Sequence, residues 1–226
     1  MWRTALILFL LTLPVIHRAG SGDVIPAETD RSSLYRELDL AGKGLAEEVY
    51  LLALKGQAKL EAEGKIRNPA VITIADLSQS SCNKRLYVID LVKRALLFNT
   101  YVAHGRNTGG EFARYFSNAA GSLKSSLGFF VTKAEITGRS VGLSLLLEGM
   151  EQGINDNALS REIIMHGASY ATEAFIRKTG RLGRSWGCPA LPPDLIKPVI
   201  ETIRKGTCLF IYQKDENYLS YSELLQ

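Results

Sequence analysis

The sequence predicts an α+β domain in which β-strands predominate and a helical cap lies at the N-terminus. Within residues 44–64, Leu45, Val49 and Leu52 recur at helical spacing. Short apolar runs follow, rich in β-branched and aromatic residues and separated by glycine, serine and asparagine. The chain has 226 residues, and a single domain of this size can bury a sizeable core.

The elements are expected in a simple order along the chain. Residues 23–42 are expected to form a loosely structured lead-in with a short helical piece, ahead of the helix in residues 44–64. Strands are predicted at residues 70–76, 86–90, 95–102, 129–132, 141–147, 162–166 and 208–212. Helices are predicted at residues 170–178 and 193–204. The stretch 104–127 is rich in Gly, Ser and Asn and is predicted to be a long loop, a feature that is usually functional.

The N-terminus has the layout of a secretory signal peptide. A short basic start, Met1-Trp2-Arg3, precedes an apolar run from Thr4 to Ile16 and then small and polar residues. We therefore expect residues 1–21 to be a signal peptide and the protein to be exported to the periplasm or cell envelope. The alternative is an uncleaved leader, which would attach the protein peripherally to a membrane. The expected division is then a helical N-terminal region at 22–69 and a catalytic domain at 70–226.

The charge balance excludes one class of partner. The formal net charge is +4, and residues 1–21 hold two arginines and no acids, so the remainder carries +2. A nucleic-acid-binding domain normally shows a concentrated basic footprint, so no nucleic acid partner is expected.

Three cysteines in an exported chain leave at least one free thiol. Cys188 is the best candidate for that thiol. Cys82 and Cys208 could pair, although the apolar run 207–212 is more typical of a buried strand, in which Cys208 would be unpaired.

Cys188 and His166 are the main candidates for chemistry. Cys188 lies in the glycine-rich run 180–190, between Gly187 and Pro189, and His166 lies 22 residues upstream. A neighbouring imidazole is expected to lower the pKa of the thiol from about 8.5 and so produce a reactive thiolate. The backbone N–H groups of Gly187 and Cys188 are expected to form an oxyanion hole. One Cys and one His at this spacing do not make a zinc site.

The chain resembles the murein L,D-transpeptidase catalytic domain family. The resemblance rests on His166-Gly167 followed by Ser185-Trp186-Gly187-Cys188, and extends over the segments 76–78, 85–90, 102–105 and 125–128. It covers residues 70–212, and we expect it to begin at about residue 45. It implies a mainly antiparallel, sandwich- or barrel-like β-fold that carries the N-terminal helical cap.

The resemblance assigns roles to five residues. It implies that Cys188 is the nucleophile and His166 the general base. It places at Gly167 the backbone carbonyl that holds the imidazole in the right tautomer, in the third role of a triad. Ser185 matches the Ser or Thr of the motif, and Gly187 matches its oxyanion turn.

Two positions depart from the usual motif. Trp186 stands where a second histidine is usual, and Ala190 stands where the family has Arg or Asn. If that Arg or Asn helps to bind substrate, Arg184 and Arg161 are the candidates to replace it.

Two further residues lie close to the motif or in the long loop. His104 is either a substrate-binding residue of the loop or a solvated histidine. Tyr170 is expected to pack rather than to contact substrate.

The resemblance implies an acyltransferase that acts on peptidoglycan stem peptides through a cysteine acyl-enzyme. It would form 3–3 cross-links or exchange terminal D-amino acids, without a metal or an organic cofactor. The alternatives are an L,D-carboxypeptidase and an inactive protein that binds the cell wall. A cysteine peptidase or amidase of another fold usually has Cys before His, the reverse of the order here.

Overall fold

The structure is a computed structural model that describes residues 28–138 and 141–226, with side chains from residue 33 onward. The expected signal peptide, residues 1–21, lies outside the described residues. Within the described part of the chain, no helix is long and apolar enough to cross a membrane.

The elements follow the order expected from the sequence. The helices are α1 (Glu28–Glu37), α2 (Glu47–Ala62), α3 (Glu173–Thr179), α4 (Pro193–Ile203) and α5 (Glu216–Tyr221). The strands are β1 (Val71–Asp76), β2 (Leu86–Asp90), β3 (Ala95–Thr100), β4 (Gly128–Gly138), β5 (Gly142–Gly149), β6 (Ile164–Gly167), β7 (Ala190–Leu191) and β8 (Cys208–Tyr212). The seven predicted strands and three predicted helices are present, whereas β7 and α5 were not predicted.

Several boundaries differ from the prediction: β3 ends at Thr100 rather than at residue 102, and β4 continues to Gly138 rather than ending at residue 132. Two other differences have local reasons. The strand predicted from residue 162 begins at Ile164, because Glu162 has a φ of 54° and closes a turn in the left-handed region. The helix predicted from residue 170 begins with a 3₁₀ turn at Ser169–Ala171. The α-helix itself follows Thr172, whose side chain caps it by accepting a hydrogen bond from the N–H of Phe175.

The described strands form one mixed sheet of eight in the order β3-β2-β1-β8-β4-β5-β6-β7. The pairs β1–β8 and β6–β7 are parallel, and the other neighbours are antiparallel. The two outer strands then approach each other. Ala103, just after β3, exchanges two backbone hydrogen bonds with Ala190 of β7, at 2.8 and 3.2 Å. This seam nearly closes the sheet into a barrel, so the predicted β-dominated fold is confirmed.

Apolar side chains cover both faces of the central strands. On one face, α2 packs against Phe129 and Phe210, whose rings stack with centroids 4.2 Å apart. Gly56 permits this approach, because a Cβ at that position would lie 2.1 Å from the Phe129 ring. On the opposite face, α4 packs through Val199 and Ile200. The two-sided burial explains why every residue of β1, β2 and β8 is buried and why these strands are mostly apolar rather than alternating.

The two cysteines outside the candidate site do not pair. Cys208 is fully buried in the core beneath the helices, as expected of a strand residue. The thiol of Cys82 donates to the carbonyl of Gly180 at 3.2 Å. Both thiols are free, so the structure takes the unpaired alternative.

Candidate active site

Strand pairing brings the histidine and the cysteine into one cleft. His166 on β6 is in register with Ala190 on β7, and Ala190 lies two residues after Cys188. After β6 the chain passes through α3 in residues 168–189 and then forms β7, which pairs with β6. The resulting cleft has a volume of about 510 Å³. It is lined among others by His166, Gly167, Tyr170, Arg184, Ser185, Trp186 and Cys188.

The ring of His166 is held in one orientation by the backbone. Its Nδ1 lies 3.1 Å from the carbonyl oxygen of Gly167. A carbonyl only accepts, so this hydrogen bond places a proton on Nδ1 and leaves the lone pair of the neutral ring on Nε2. Burial lowers the pKa of His166, and the bond to Gly167 only partly opposes this. The ring is therefore a neutral base at pH 7.

The thiol of Cys188 is half-buried at the floor of the cleft. Its Sγ donates to the carbonyl of Glu162 at 3.8 Å, and within the described residues it makes no hydrogen bond with His166. Burial raises the pKa of Cys188. A backbone hydrogen bond from Ile164 and, after it, the positive charge of Arg161 oppose this, and the carboxylate of Glu162 reinforces it.

The expectation of a lowered thiol pKa is therefore wrong for this state, because burial outweighs the nearby positive charge. The site therefore holds a neutral thiol together with a neutral imidazole.

Ser185 fastens the turn that carries the thiol. Its buried hydroxyl donates to the carbonyl of Cys188 at 2.5 Å and accepts from the N–H of Gly187 at 3.1 Å. Gly187 has a φ of 133°, and a Cβ there would lie 2.9 Å from the carbonyl oxygen of Lys124. Only glycine suits this position without strain.

The same hydrogen bonds correct the expected oxyanion hole. The N–H of Gly187 is already donated to Ser185, so it is engaged inside the turn. Among the hydrogen bonds of the described residues, none uses the N–H of Cys188. Of the two N–H groups expected to form the oxyanion hole, only that of Cys188 is left without a hydrogen bond among the described residues.

His104 is buried and lies outside the cleft, so the solvated alternative is wrong and the side chain is not placed where a substrate contact was expected. Its side chain is 1% exposed and does not line the cleft. Nδ1 accepts a hydrogen bond from the buried guanidinium of Arg85 at 2.8 Å. Burial, with the charge of Arg85, lowers the pKa of His104 to about 3. Its contribution to the site comes through the backbone, where its carbonyl accepts from the N–H of Ser185 at 3.0 Å.

The two candidate arginines occupy different places. Arg184 is exposed and lines the cleft, and its Nη1 donates to the carbonyls of Arg106 and Gly109 at 3.2 and 3.1 Å. Arg161 does not line the cleft. It lies behind the turn that carries the thiol of Cys188, where the carbonyl of Lys124 accepts one of its hydrogen bonds.

With this geometry in place, the comparison with known families is direct. A model of the L,D-transpeptidase catalytic domain matches residues 41–212. The chain belongs to this family. The match begins ahead of α2 and ends with β8, so it takes in the second helix and the whole sheet.

Solved structures of L,D-transpeptidases are similar to this chain at low identity. An L,D-transpeptidase from Mycobacterium smegmatis is 14% identical with a TM-score of 0.41, over 64% of this chain and 59% of that chain. L,D-transpeptidase 3 from Mycobacterium tuberculosis is 13% identical with a TM-score of 0.40, over 64% and 61%. The helical cell shape determining protein Pgp2 from Campylobacter jejuni is 15% identical with a TM-score of 0.44, over 73% and 57%. The chain spans about three fifths of the length of these proteins. No curated protein matches the sequence.

The departures from the L,D-transpeptidase motif have clear places in the structure. Trp186 lines the cleft and is 76% exposed, so it presents an indole where the usual motif has a second histidine. Ala190 is fully buried in the seam opposite Ala103, so a long polar side chain has no space there.

Tyr170 is a cleft residue that sequence analysis assigned to packing alone. It lines the cleft, and its ring also packs against Gly183, where a Cβ would lie 2.4 Å from the Cβ of Tyr170. Burial, together with the nearby Cys188, raises the pKa of Tyr170 to about 12. Its position three residues after the His-Gly pair was the sequence signal that could have placed it in the cleft.

Within the described residues, no group of three His, Cys, Asp or Glu side chains could hold a metal ion.

Proposed function

We propose that this protein is a cysteine acyltransferase of peptidoglycan stem peptides, with Cys188 as nucleophile and His166 as general base. The observation that carries the proposal is a cleft that contains a free thiol and an imidazole whose Nδ1 proton is held by the Gly167 carbonyl. Membership of the L,D-transpeptidase family supports the same chemistry.

The acylation step follows from the protonation states of the two groups. The sulfur of Cys188 attacks the carbonyl carbon at the L-centre of a diamino acid, and its proton passes to Nε2 of His166. The N–H of Cys188 stabilises the oxyanion that forms. The peptide C–N bond then breaks, and the departing amine of the terminal D-amino acid takes the proton from His166. The result is a thioester on Cys188 and a neutral imidazole.

The second half-reaction regenerates the enzyme. An acceptor amine attacks the thioester carbonyl and loses a proton to Nε2 of His166. The C–S bond then breaks, and the imidazolium returns the proton to Sγ, which restores the thiol and the neutral imidazole. An amine of a second stem peptide gives a 3–3 cross-link, and a free D-amino acid gives exchange. Water gives L,D-carboxypeptidase action. No step requires a metal or an organic cofactor.

The place of action follows from the same proposal. A protein that modifies stem peptides works in the cell envelope, in accord with residues 1–21 acting as an export leader. Residues 22–69 then form the helical region and residues 70–226 the catalytic domain. Arg184 and Trp186, which line the cleft, are the residues available to contact the stem peptide.

The proposal is tested by incubating the protein with a disaccharide-tetrapeptide and identifying products by mass. We expect a cross-linked dimer that has lost one terminal D-amino acid, or an exchange product when a free D-amino acid is added. Tripeptide alone identifies the carboxypeptidase. No product, together with slow labelling of Cys188 by a thiol reagent, identifies an inactive wall-binding protein.

Cys188→Ala is the matched control, since it removes one sulfur and leaves the turn glycine at Gly187 in place. We expect turnover to fall below about a hundredth of wild type, the scale for loss of a covalent step. Greater residual activity would contradict the assigned nucleophile.

A strained β-lactam of the carbapenem type provides an independent test. The nucleophilic thiol should open the ring and give one adduct by intact-mass spectrometry on wild type, and none on Cys188→Ala. An adduct on the variant would show that Cys82, Cys208 or a lysine reacts instead.

A further inference from the structure

Arg161 connects the long loop to the base of the candidate site. It precedes β6 and is half-buried, and its guanidinium donates four hydrogen bonds to the segment 117–126. The acceptors are the carbonyl of Ser117 at 2.8 Å, Ser126 Oγ at 2.6 Å, Ser122 Oγ at 3.3 Å and the carbonyl of Lys124 at 2.7 Å. The planar guanidinium of Arg161 therefore binds both ends of segment 117–126, ten residues that contain no strand or helix.

The same guanidinium lies against the nucleophile turn, which consists of residues 185–188 and carries the thiol of Cys188. A Cβ on Gly187 would be 3.4 Å from Nη2 of Arg161 and 2.9 Å from the carbonyl oxygen of Lys124. The hydroxyl of Ser125 donates to the carbonyl of Gly187 at 3.0 Å. Segment 117–126 thus supports the turn from behind, and Arg161 fixes the segment.

The charge of Arg161 is not neutralised by a carboxylate. Within the described residues it forms no salt bridge, and its four acceptors are carbonyl and hydroxyl oxygens. The titratable groups that line the cleft with Cys188 are His166, Tyr170 and Arg184. The charges that shift the pKa of its thiol are those of Arg161 and Glu162, and of these two only Arg161 favours the thiolate.

We propose that Arg161 is a positioning residue that fixes segment 117–126 beneath the nucleophile turn and stabilises the developing thiolate of Cys188. It acts from behind the turn and does not touch the substrate. The proposal rests on the proposed function for the identity of the nucleophile.

The two parts of the role are separated by two variants. Arg161→Gln removes the charge, and Arg161→Lys keeps the charge but cannot reach four acceptors. Arg177→Gln is the matched control, because Arg177 is an exposed arginine whose partner is Glu173 on the same helix.

The first measurement is the rate of alkylation of Cys188 by iodoacetamide from pH 5 to 10, followed by intact mass. We expect Arg161→Gln to alkylate about three- to tenfold more slowly at pH 7, with its profile shifted to higher pH. Arg161→Lys and Arg177→Gln should retain the wild-type profile. A folded Arg161→Gln protein with an unchanged profile would overturn the electrostatic part.

The second measurement is turnover of disaccharide-tetrapeptide by Arg161→Lys. We expect kcat to fall about tenfold with little change in KM, because the turn is less well placed while the thiol keeps its ionisation. Wild-type kcat in this variant would overturn the positioning part, and this holds even if Arg161→Gln fails to fold. Alkylation of Cys188 requires no substrate. If the proposed function failed, the alkylation profiles of the Arg161 variants would still test this inference, so the two failures can be told apart.

Discussion

His104 makes the protein sensitive to mild acid through a single buried imidazole. Its pKa is about 3, against an ordinary value of 6.5, because burial and the charge of Arg85 both disfavour the imidazolium. The unfolded chain takes up a proton at this residue below pH 6.5, whereas the folded chain does not until about pH 3. The stabilisation is therefore complete above pH 6.5 and is lost progressively as the pH falls.

The loss of stability is set by the interval between the two pKa values of His104, 6.5 in the unfolded chain and about 3 in the folded one. Each pH unit below 6.5 removes about 1.4 kcal/mol of stability, so acidification to pH 4.5 removes about 3 kcal/mol through His104 alone. This is a large fraction of the stability of an ordinary domain.

The assay compares urea unfolding of wild type and His104→Asn by circular dichroism between pH 7 and pH 4.5. The amide oxygen of Asn can still accept from Arg85, and the variant has no imidazole to titrate at this position. We expect the variant to lose about 3 kcal/mol less than wild type over this range, whatever its stability at pH 7. Other titrating groups, including His166, are present in both proteins. Parallel pH dependence in the two proteins would refute the reasoning.

Substitutions at three further residues probe the turn that carries Cys188 and its surroundings. Gly187→Ala should lower the free energy of unfolding by about 1–3 kcal/mol, measured by chemical denaturation, because its φ of 133° and the Lys124 carbonyl at 2.9 Å exclude a Cβ; wild-type stability would contradict this. Ser185→Ala should cost about 1–3 kcal/mol and slow turnover, since the groups it holds on Gly187 and Cys188 lose their partner, whereas Ser185→Thr keeps the hydroxyl and should retain most activity. Glu162→Gln should lower the apparent pKa of Cys188 in an alkylation profile, because a negative charge that opposes the thiolate is gone; a raised or unchanged value would count against the electrostatic picture of the site.

The regular elements were predictable because their signals are local. The strands of the sheet centre are apolar runs bounded by turn residues, and α2 and α4 carry helical spacing. The strand β7 has two residues and owes its existence to β6 and to Ala103, neither of which is near in sequence. The helix α5 is short and polar, although Asp215 does cap it by accepting from the N–H of Tyr218.

At the site, residue identities were easier to predict than environments. Cys188 and His166 stand out by residue type and by their glycine-rich surroundings, and the structure places both in one cleft. The burial of His104 depends on Arg85, which reaches it from β2's edge through tertiary packing. Likewise, the hydrogen bond that engages the N–H of Gly187 depends on a side-chain rotamer of Ser185, which no sequence pattern reports.

The seam between Ala103 and Ala190 links the placement of the Cys188 thiol to the closure of the sheet. Ala103 follows β3 and Ala190 belongs to β7, the two outer strands, so this contact requires the strands between them to be paired. The thiol lies two residues from that contact, and the carbonyl of His104, adjacent to Ala103, holds the turn that presents it. We therefore expect the thiol to reach its place in the cleft only when β3 and β7 have met, so that the alkylation rate of Cys188 during refolding reports on closure of the sheet.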